Sequence, residues 1–200
     1  DAFPGVDASK LAAGSHFTAN AGNNMSIQNG IQNPGSFYTS GSSWSSTPPT
    51  GYTYSNLWSA DNTITGGSNV GNDNPVVKTV YDPCPVGFKM PASNAFTGFT
   101  ANGQNGGAKN IDGTDDWQIF QNNFGHNFWT SSSKTATIYF PASGERSIHV
   151  GSLVGDIGCY WSAVPSGIGT GCNLDFFWSL VEPRVGSSGT YGMAVRPVSE

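Results

Sequence analysis

Hydrophobic positions are unevenly strung along this chain. Through the first seventy residues only short aromatic anchors, Phe37-Tyr38, Trp44, Tyr52 and Leu57-Trp58, interrupt a polar run punctuated by Asn23-Asn24, Asn29-Gly30, Pro34-Gly35, Pro48-Pro49 and Gly66-Gly67. Spaced aromatics in such a background predict an ordered, largely irregular coat tied down onto a neighbouring core. The pattern changes at residue 76. Val76-Val77-Lys78-Thr79-Val80-Tyr81 reads as a strand, and it ends at Asp82-Pro83-Cys84-Pro85, where two prolines remove backbone donors and bend the chain. Pro91 followed by Ser93-Asn94-Ala95-Phe96 predicts a short helix N-capped by Ser93 and stopped by Gly98 and Asn102-Gly103. Further strands are expected over 117–120, 127–131, 135–140 and 147–150, then a closing meander over 158–164, 172–180 and 191–198. No repeat of fixed period emerges, which excludes solenoids and propellers. The expected organisation is an irregular N-terminal extension, residues 1–75, packed on a domain formed by residues 76–200.

The last forty residues depart from ordinary core patterning. A frame of Gly158, Tyr160-Trp161-Ser162-Ala163, Pro165, Leu174, Phe176, Val181, Pro183, Gly192 and Val195-Arg196-Pro197 alternates with a filling of no consistent type. Glycines and prolines fix turns, while Trp161, Leu174, Phe176 and Val195 supply core anchors and Met193 shares the inward face of Val195. Outward strand positions tolerate replacement within about 0.5 kcal/mol, so a frame of this kind separates stability from recognition. That pattern points to a display surface over residues 158–198, and to binding in preference to catalysis. Phe177, Trp178 and Tyr191 are the expected anchors, because rigid aromatics give contact area at low entropic cost. Alternation along a strand puts Phe177 and Trp178 on opposite faces. Arg184 offers a directional polar contact.

Composition sharpens this. Charged residues make up only 10% of the chain against roughly 25% in an average soluble domain, while glycine reaches 27 residues, as in loop-rich, mainly β proteins. Aromatics, 12% of the chain, must then carry much of the burial. Net charge is -5 and no Lys/Arg cluster appears, so nucleic acid is not an expected partner. No run approaches the roughly eighteen to twenty apolar residues that cross a bilayer. The start at Asp1-Ala2-Phe3-Pro4 reads as a mature or trimmed fragment. Of three cysteines at least one is unpaired. If 165–171 is a hairpin loop, Cys159 falls opposite Phe177 and Cys172 opposite Val164, beyond the ~7 Å limit on Cα separation for a disulfide. Cys84 reads as a buried small hydrophobe.

The segment Tyr81-Asp82-Pro83-Cys84-Pro85-Val86-Gly87-Phe88, with Gly158-Cys159-Tyr160-Trp161-Ser162-Ala163, Leu174-x-Phe176 and Gly192-x-x-Val195-Arg196-Pro197-Val198, resembles the C-type-lectin-like C-terminal domain of bacterial surface lipoproteins and pilus-tip adhesins. The likeness spans roughly residues 76–200, and residues 31–58 resemble that family's usual leader. It implies an α+β, C-type-lectin-like fold of small twisted antiparallel sheets, one or two short helices and many loops. It also implies display on the extracellular face of the outer membrane, through an upstream lipid anchor outside this chain. A subset of the family serves as the variable protein of diversity-generating retroelements, where randomised template adenines turn Asn-type codons into many residues. The frame and filling look like one such variant, with Ser166, Ile168, Thr170, Asp175, Phe177, Ser179, Arg184 and Tyr191 at template-Asn positions; Trp178, Leu180 and Glu182 complete the expected ligand-binding set. Trp178 and Glu182 depart from the pattern, because adenine replacement in an Asn codon produces neither.

Other chemistries fit less well. The Glu-Pro-Asn or Gln-Pro-Asp calcium triplet of sugar-binding C-type lectins would fall at Glu182-Pro183-Arg184, where a cation replaces an oxygen ligand. Asp112, Asp115 and Asp116 lack the spacing of an EF-hand and read as solvated turn carboxylates. His16, His126 and His149 show no zinc-ligand spacing, and Cys159 and Cys172 are too far apart for the cysteine pair of formylglycine-generating enzymes. Glu145, Asp156, Asp175 and Glu182 sit in no glycosidase motif. The expectation is therefore a non-enzymatic, cofactor-free and metal-free surface domain whose partner is a surface protein or glycan. The alternative is a fixed-specificity carbohydrate-binding lectin or a structural pilus-tip module.

Overall fold

The computed structural model describes residues 18–20, 32, 36–38, 58–61, 69–71, 74–146, 155–167, 169–189 and 191–200. Within them the chain is α+β, built mostly from small antiparallel sheets with two short helices. Strands β1 (Thr18–Asn20) and β2 (Ser36–Tyr38) pair in parallel. β3 (Phe88–Lys89) pairs with β11 (Val198–Ser199), β4 (Gly125–Trp129) with β5 (Thr137–Pro141), and β6 (Glu145–Arg146) with β10 (Gly192–Met193), all antiparallel. The principal sheet runs β7 (Gly158–Gly167), β8 (Thr170–Phe176), β9 (Val181–Ser188), with β8 in the centre. The expected strand at 147–150 and most of the N-terminal extension lie outside the described residues. Near the end of that extension, Ser59 bridges Lys78 and the Trp58 ring meets Trp161 edge-on at 6.4 Å.

Phenylalanine builds the main core. Phe96, Phe99, Phe120, Phe128, Phe140, Tyr160, Leu174, Phe176 and Val181 bury together, with Phe99 stacked on Phe128 at 4.0 Å and Phe140 meeting Phe99 edge-on at 4.9 Å. A second cluster of Val76, Cys84, Met90, Trp161 and Ala163 is covered by Trp58, Tyr191, Met193 and Val195. These two clusters take opposite faces of the β7–β8 pair. β7 is buried from Gly158 to Ser166 because its outer edge is paired as well: Trp161 N–H donates to Ala194 O at 3.0 Å and Ala163 N–H to Pro91 O at 2.8 Å.

Four local expectations are corrected. Residues 76–81 form no strand beyond the Lys78 bridge, since Val77 and Val80 face outward and a turn closes between Thr79 O and Asp82 N. The bend that follows is held by side chains. Asp82 accepts from Cys84 N–H at 2.7 Å and Met90 N–H at 3.0 Å, and the Lys78 ammonium donates to the carbonyls of Cys84, Pro85 and Phe88. Second, residues 93–99 are a 3-10 helix (Ser93–Phe99) that runs through Gly98; Ala92 holds the N-cap position without a side-chain bond, and Ser93 is buried. Third, residues 117–120 are helical. Helix α1 (Trp117–Asn123) begins where Asp116 Oδ1 accepts from Ile119 N–H at 3.0 Å and ends at Phe124 in the left-handed conformation, φ 51°. Fourth, residues 172–180 and 191–198 are not single strands: β8 stops at Phe176, a turn intervenes and β9 follows, while the last run is strand only at β10 and β11.

The β7–β8 hairpin closes tighter than expected, at Gly167 and Thr170, with irregular register between Trp161 and Pro165. Cys159 therefore lies opposite Asp175, two residues from the expected partner, and all three cysteines are buried with none in a disulfide. Pro183 is tolerated inside β9 because it falls at a register shift on the sheet's outer strand. There Asn105 replaces a neighbouring strand, accepting from Arg184 N–H at 2.9 Å and donating to Arg184 O at 2.8 Å.

Candidate ligand-binding site

The turn joining β8 to β9 separates frame from filling most cleanly. Leu174, Phe176, Val181 and Pro183 are buried, while Asp175, Phe177, Leu180 and Glu182 between them are half-buried and Trp178 and Ser179 are exposed. Phe177 N–H donates to Leu180 O at 2.9 Å, closing the turn. Three other contacts grip its backbone and the start of β9. The Lys109 ammonium donates to Trp178 O, the His126 ring lies with Nε2 3.0 Å from Phe177 O, and Gly106 N–H donates to Val181 O at 3.0 Å.

Both clamping side chains are themselves fixed. Lys109 has a side chain only 4% exposed and is paired to Asp115 at 2.7 Å. His126 is buried against Phe120, Phe128 and Phe176, and burial holds its pKa below the usual histidine value. The neutral ring then carries its proton on Nε2, toward the Phe177 carbonyl. Trp117, the first residue of α1, meets the Trp178 indole edge-on at 6.1 Å. Phe177 and Trp178 are separated by this turn and not by the faces of a strand.

Beneath the turn, Cys159, Asp175 and Glu182 lie in one row across the three strands. Asn173 donates to Asp175 Oδ1 at 2.5 Å, and its own Oδ1 is buried with no partner. Burial, reinforced by the nearby Glu145 and Glu182 carboxylates, pushes the Asp175 pKa up to about 7. The Cys159 thiol is pushed well above its usual value by burial and by Asp175, and Cys84 is raised to about 12 by burial and Asp82. Neither is a thiolate at neutral pH.

The remaining described members of the expected binding set lie elsewhere. Ser166 is buried and donates to Thr170 Oγ1 at 2.9 Å, at the opposite end of β8. Seven residues at ~3.3 Å rise place that end about 20 Å from the turn. Ile168 lies outside the described residues. Tyr191 is half-buried on the second core cluster, and its carbonyl accepts from the Trp161 indole at 3.3 Å. Arg184 points into the fold: its guanidinium donates to Asn94 Oδ1 and Gly103 O, both at 3.1 Å, while Nε is buried without a partner. The structure thus brings Asp175, Phe177, Trp178, Ser179, Leu180 and Glu182 together and sets Ser166, Thr170, Arg184 and Tyr191 apart.

Sequence reasoning missed Lys109, His126 and Trp117 as parts of this end. The Asp115-Asp116 pair ahead of Trp117 is an N-cap signal that identifies the helix, but nothing in sequence aims Lys109 at a residue 69 positions away. Asp115 pairs with Lys109 and Asp116 caps α1, and no group of three His, Cys, Asp or Glu side chains suited to a metal ion occurs among the described residues. No helix among those residues is long and apolar enough to cross a membrane. No family model, curated protein or solved structure matches the chain.

Proposed function

We propose that residues 76–200 form a C-type-lectin-like, non-enzymatic ligand-binding domain carried on the bacterial cell surface, with a binding surface of the retroelement-diversified kind. Contact is made at the β8–β9 turn, by Trp178 and Ser179 with Phe177, Leu180, Glu182 and Asp175 around them. One observation carries the reading: over residues 174–183 the frame positions Leu174, Phe176, Val181 and Pro183 are buried and the filling between them reaches solvent. The ligand is a surface protein or a glycan, and no resident cofactor or metal takes part.

A fixed-specificity lectin or structural tip module is the second reading. It is favoured by Ser166 and Arg184, whose internal bonds are not what freely exchanged positions would build. The test is joint replacement of Trp178, Ser179 and Glu182 by Ala, after glycan and surface-protein arrays have supplied a ligand. The expected result is lost binding with a total stability change within about 1.5 kcal/mol, three surface positions at ~0.5 kcal/mol each. Retained binding by a well-folded variant overturns the turn as contact site. The surrounding DNA separates the two readings, since diversification requires a nearby reverse-transcriptase gene and a near-copy of the final segment that differs at adenines.

A further inference from the structure

We propose that Trp117 and Trp178 form a corner that receives a lysine or arginine side chain of a protein partner. The inference deepens the display reading and rests on it for the role of Trp178. Both indoles are large apolar groups left open to solvent, 46% and 37% exposed, with ring planes at 76°. Two nearly perpendicular walls do not make the flat platform on which a pyranose ring stacks. They do suit a compact group, held by the electron-rich ring faces, and such faces favour a cation.

Charge selects the same occupant. Asp112, Asp115 and Asp116 are all exposed within five residues just ahead of Trp117. The nearby cation, Lys109, is buried and already shared between Asp115 Oδ1 and the Trp178 carbonyl, so it offers no positive charge to solvent. Asp115 and Asp116 each have one carboxylate oxygen engaged, by Lys109 and Ile119 N–H respectively, and each keeps a second that can accept from an N–H. That favours an ammonium or guanidinium over a quaternary ammonium, which has no proton to donate. Trp117 lies far in sequence from the variable filling.

The experiment uses the full chain labelled with 15N, its indole N–H signals assigned with Trp117→Phe and Trp178→Phe. It is titrated separately with N-acetyl-arginine methylamide, the lysine analogue, the neutral isostere N-acetyl-citrulline methylamide, tetramethylammonium and methyl glucoside. Saturable shifts of both indole signals with arginine or lysine are expected, about tenfold stronger than with citrulline and weakened on raising NaCl from 50 to 300 mM. Trp117→Ala should remove them while leaving the fold intact. An equal response to citrulline, a stronger one to glucoside or tetramethylammonium, or no saturable shift overturns the proposal. Array binding that depends on Trp178 without any arginine or lysine response would sink this inference and leave the display reading standing.

Discussion

Replacing Asp175 by Asn should remove a pH dependence of stability that the wild type carries. Asp175 sits between β7 and β9 with Cys159 on one side and Glu182 on the other, and burial with two neighbouring carboxylates raises its pKa from 3.8 to about 7. The folded state therefore binds this proton more tightly than the unfolded chain. The stabilisation is complete below the unfolded value of 3.8 and is lost as pH rises through about 7. At pH 5, about two units below the folded value, the retained proton is worth at most about 3 kcal/mol at 1.36 kcal/mol per unit; partial solvent access brings the expectation to about 1–3 kcal/mol. Asn keeps the shape and accepts the Asn173 bond without ionising. Urea unfolding of both proteins at pH 5 and pH 8 measures the effect, and the difference between them cancels shared titrations such as that of His126. The wild type should lose about 1–3 kcal/mol relative to the variant between those pH values. A difference that does not change with pH, or an Asn variant that is relatively less stable at pH 8, would refute the reasoning.

Two further changes test the scaffold. Lys109→Met keeps the aliphatic stem but frees the Trp178 carbonyl, and should cost about 1–3 kcal/mol and speed hydrogen exchange at the Phe177 amide; unchanged protection there would show that the clamp does not hold the turn. Asp82→Ala strands the buried N–H groups of Cys84 and Met90, and thermal unfolding should show a loss of about 2–4 kcal/mol. A loss below about 0.5 kcal/mol would mean that the bend at 82–90 is fixed by its prolines alone.

Periodicity read some parts of this fold well and others badly, for reasons that lie in particular residues. Residues 127–131, 135–140 and 158–164 show strongly β-favouring or aromatic patterns and fall on β4, β5 and β7. Leu174, Phe176 and Trp161 were legible as core because a rigid frame leaves little choice of side chain. The run at 76–81 reads as a strand on propensity alone, yet a strand needs a partner, and among the described residues Ser59 alone bridges to it. Trp117-Gln118-Ile119-Phe120 is rich in β-favouring aromatic and branched side chains, but Asp116 satisfies the backbone N–H of Ile119 and tips it into a helix. The candidate site was half visible for a similar reason: exposure follows alternation, but tertiary contact does not. Nothing in the local pattern tells that Arg184 reaches Asn94, ninety residues away.

The grip on the β8–β9 turn has a consequence for what can be written there. Lys109 and His126 hold carbonyl oxygens, which every amino acid carries, so the loop keeps one shape whatever its side chains are. On the proposed display reading, a search through sequences at this spot samples chemistry without sampling conformations, and each new variant meets its target already in position. One residue is barred at one place. The bond from Phe177 needs an amide hydrogen, so proline at 177 would spring the loop open, and a collection of natural or engineered variants should be empty of it there.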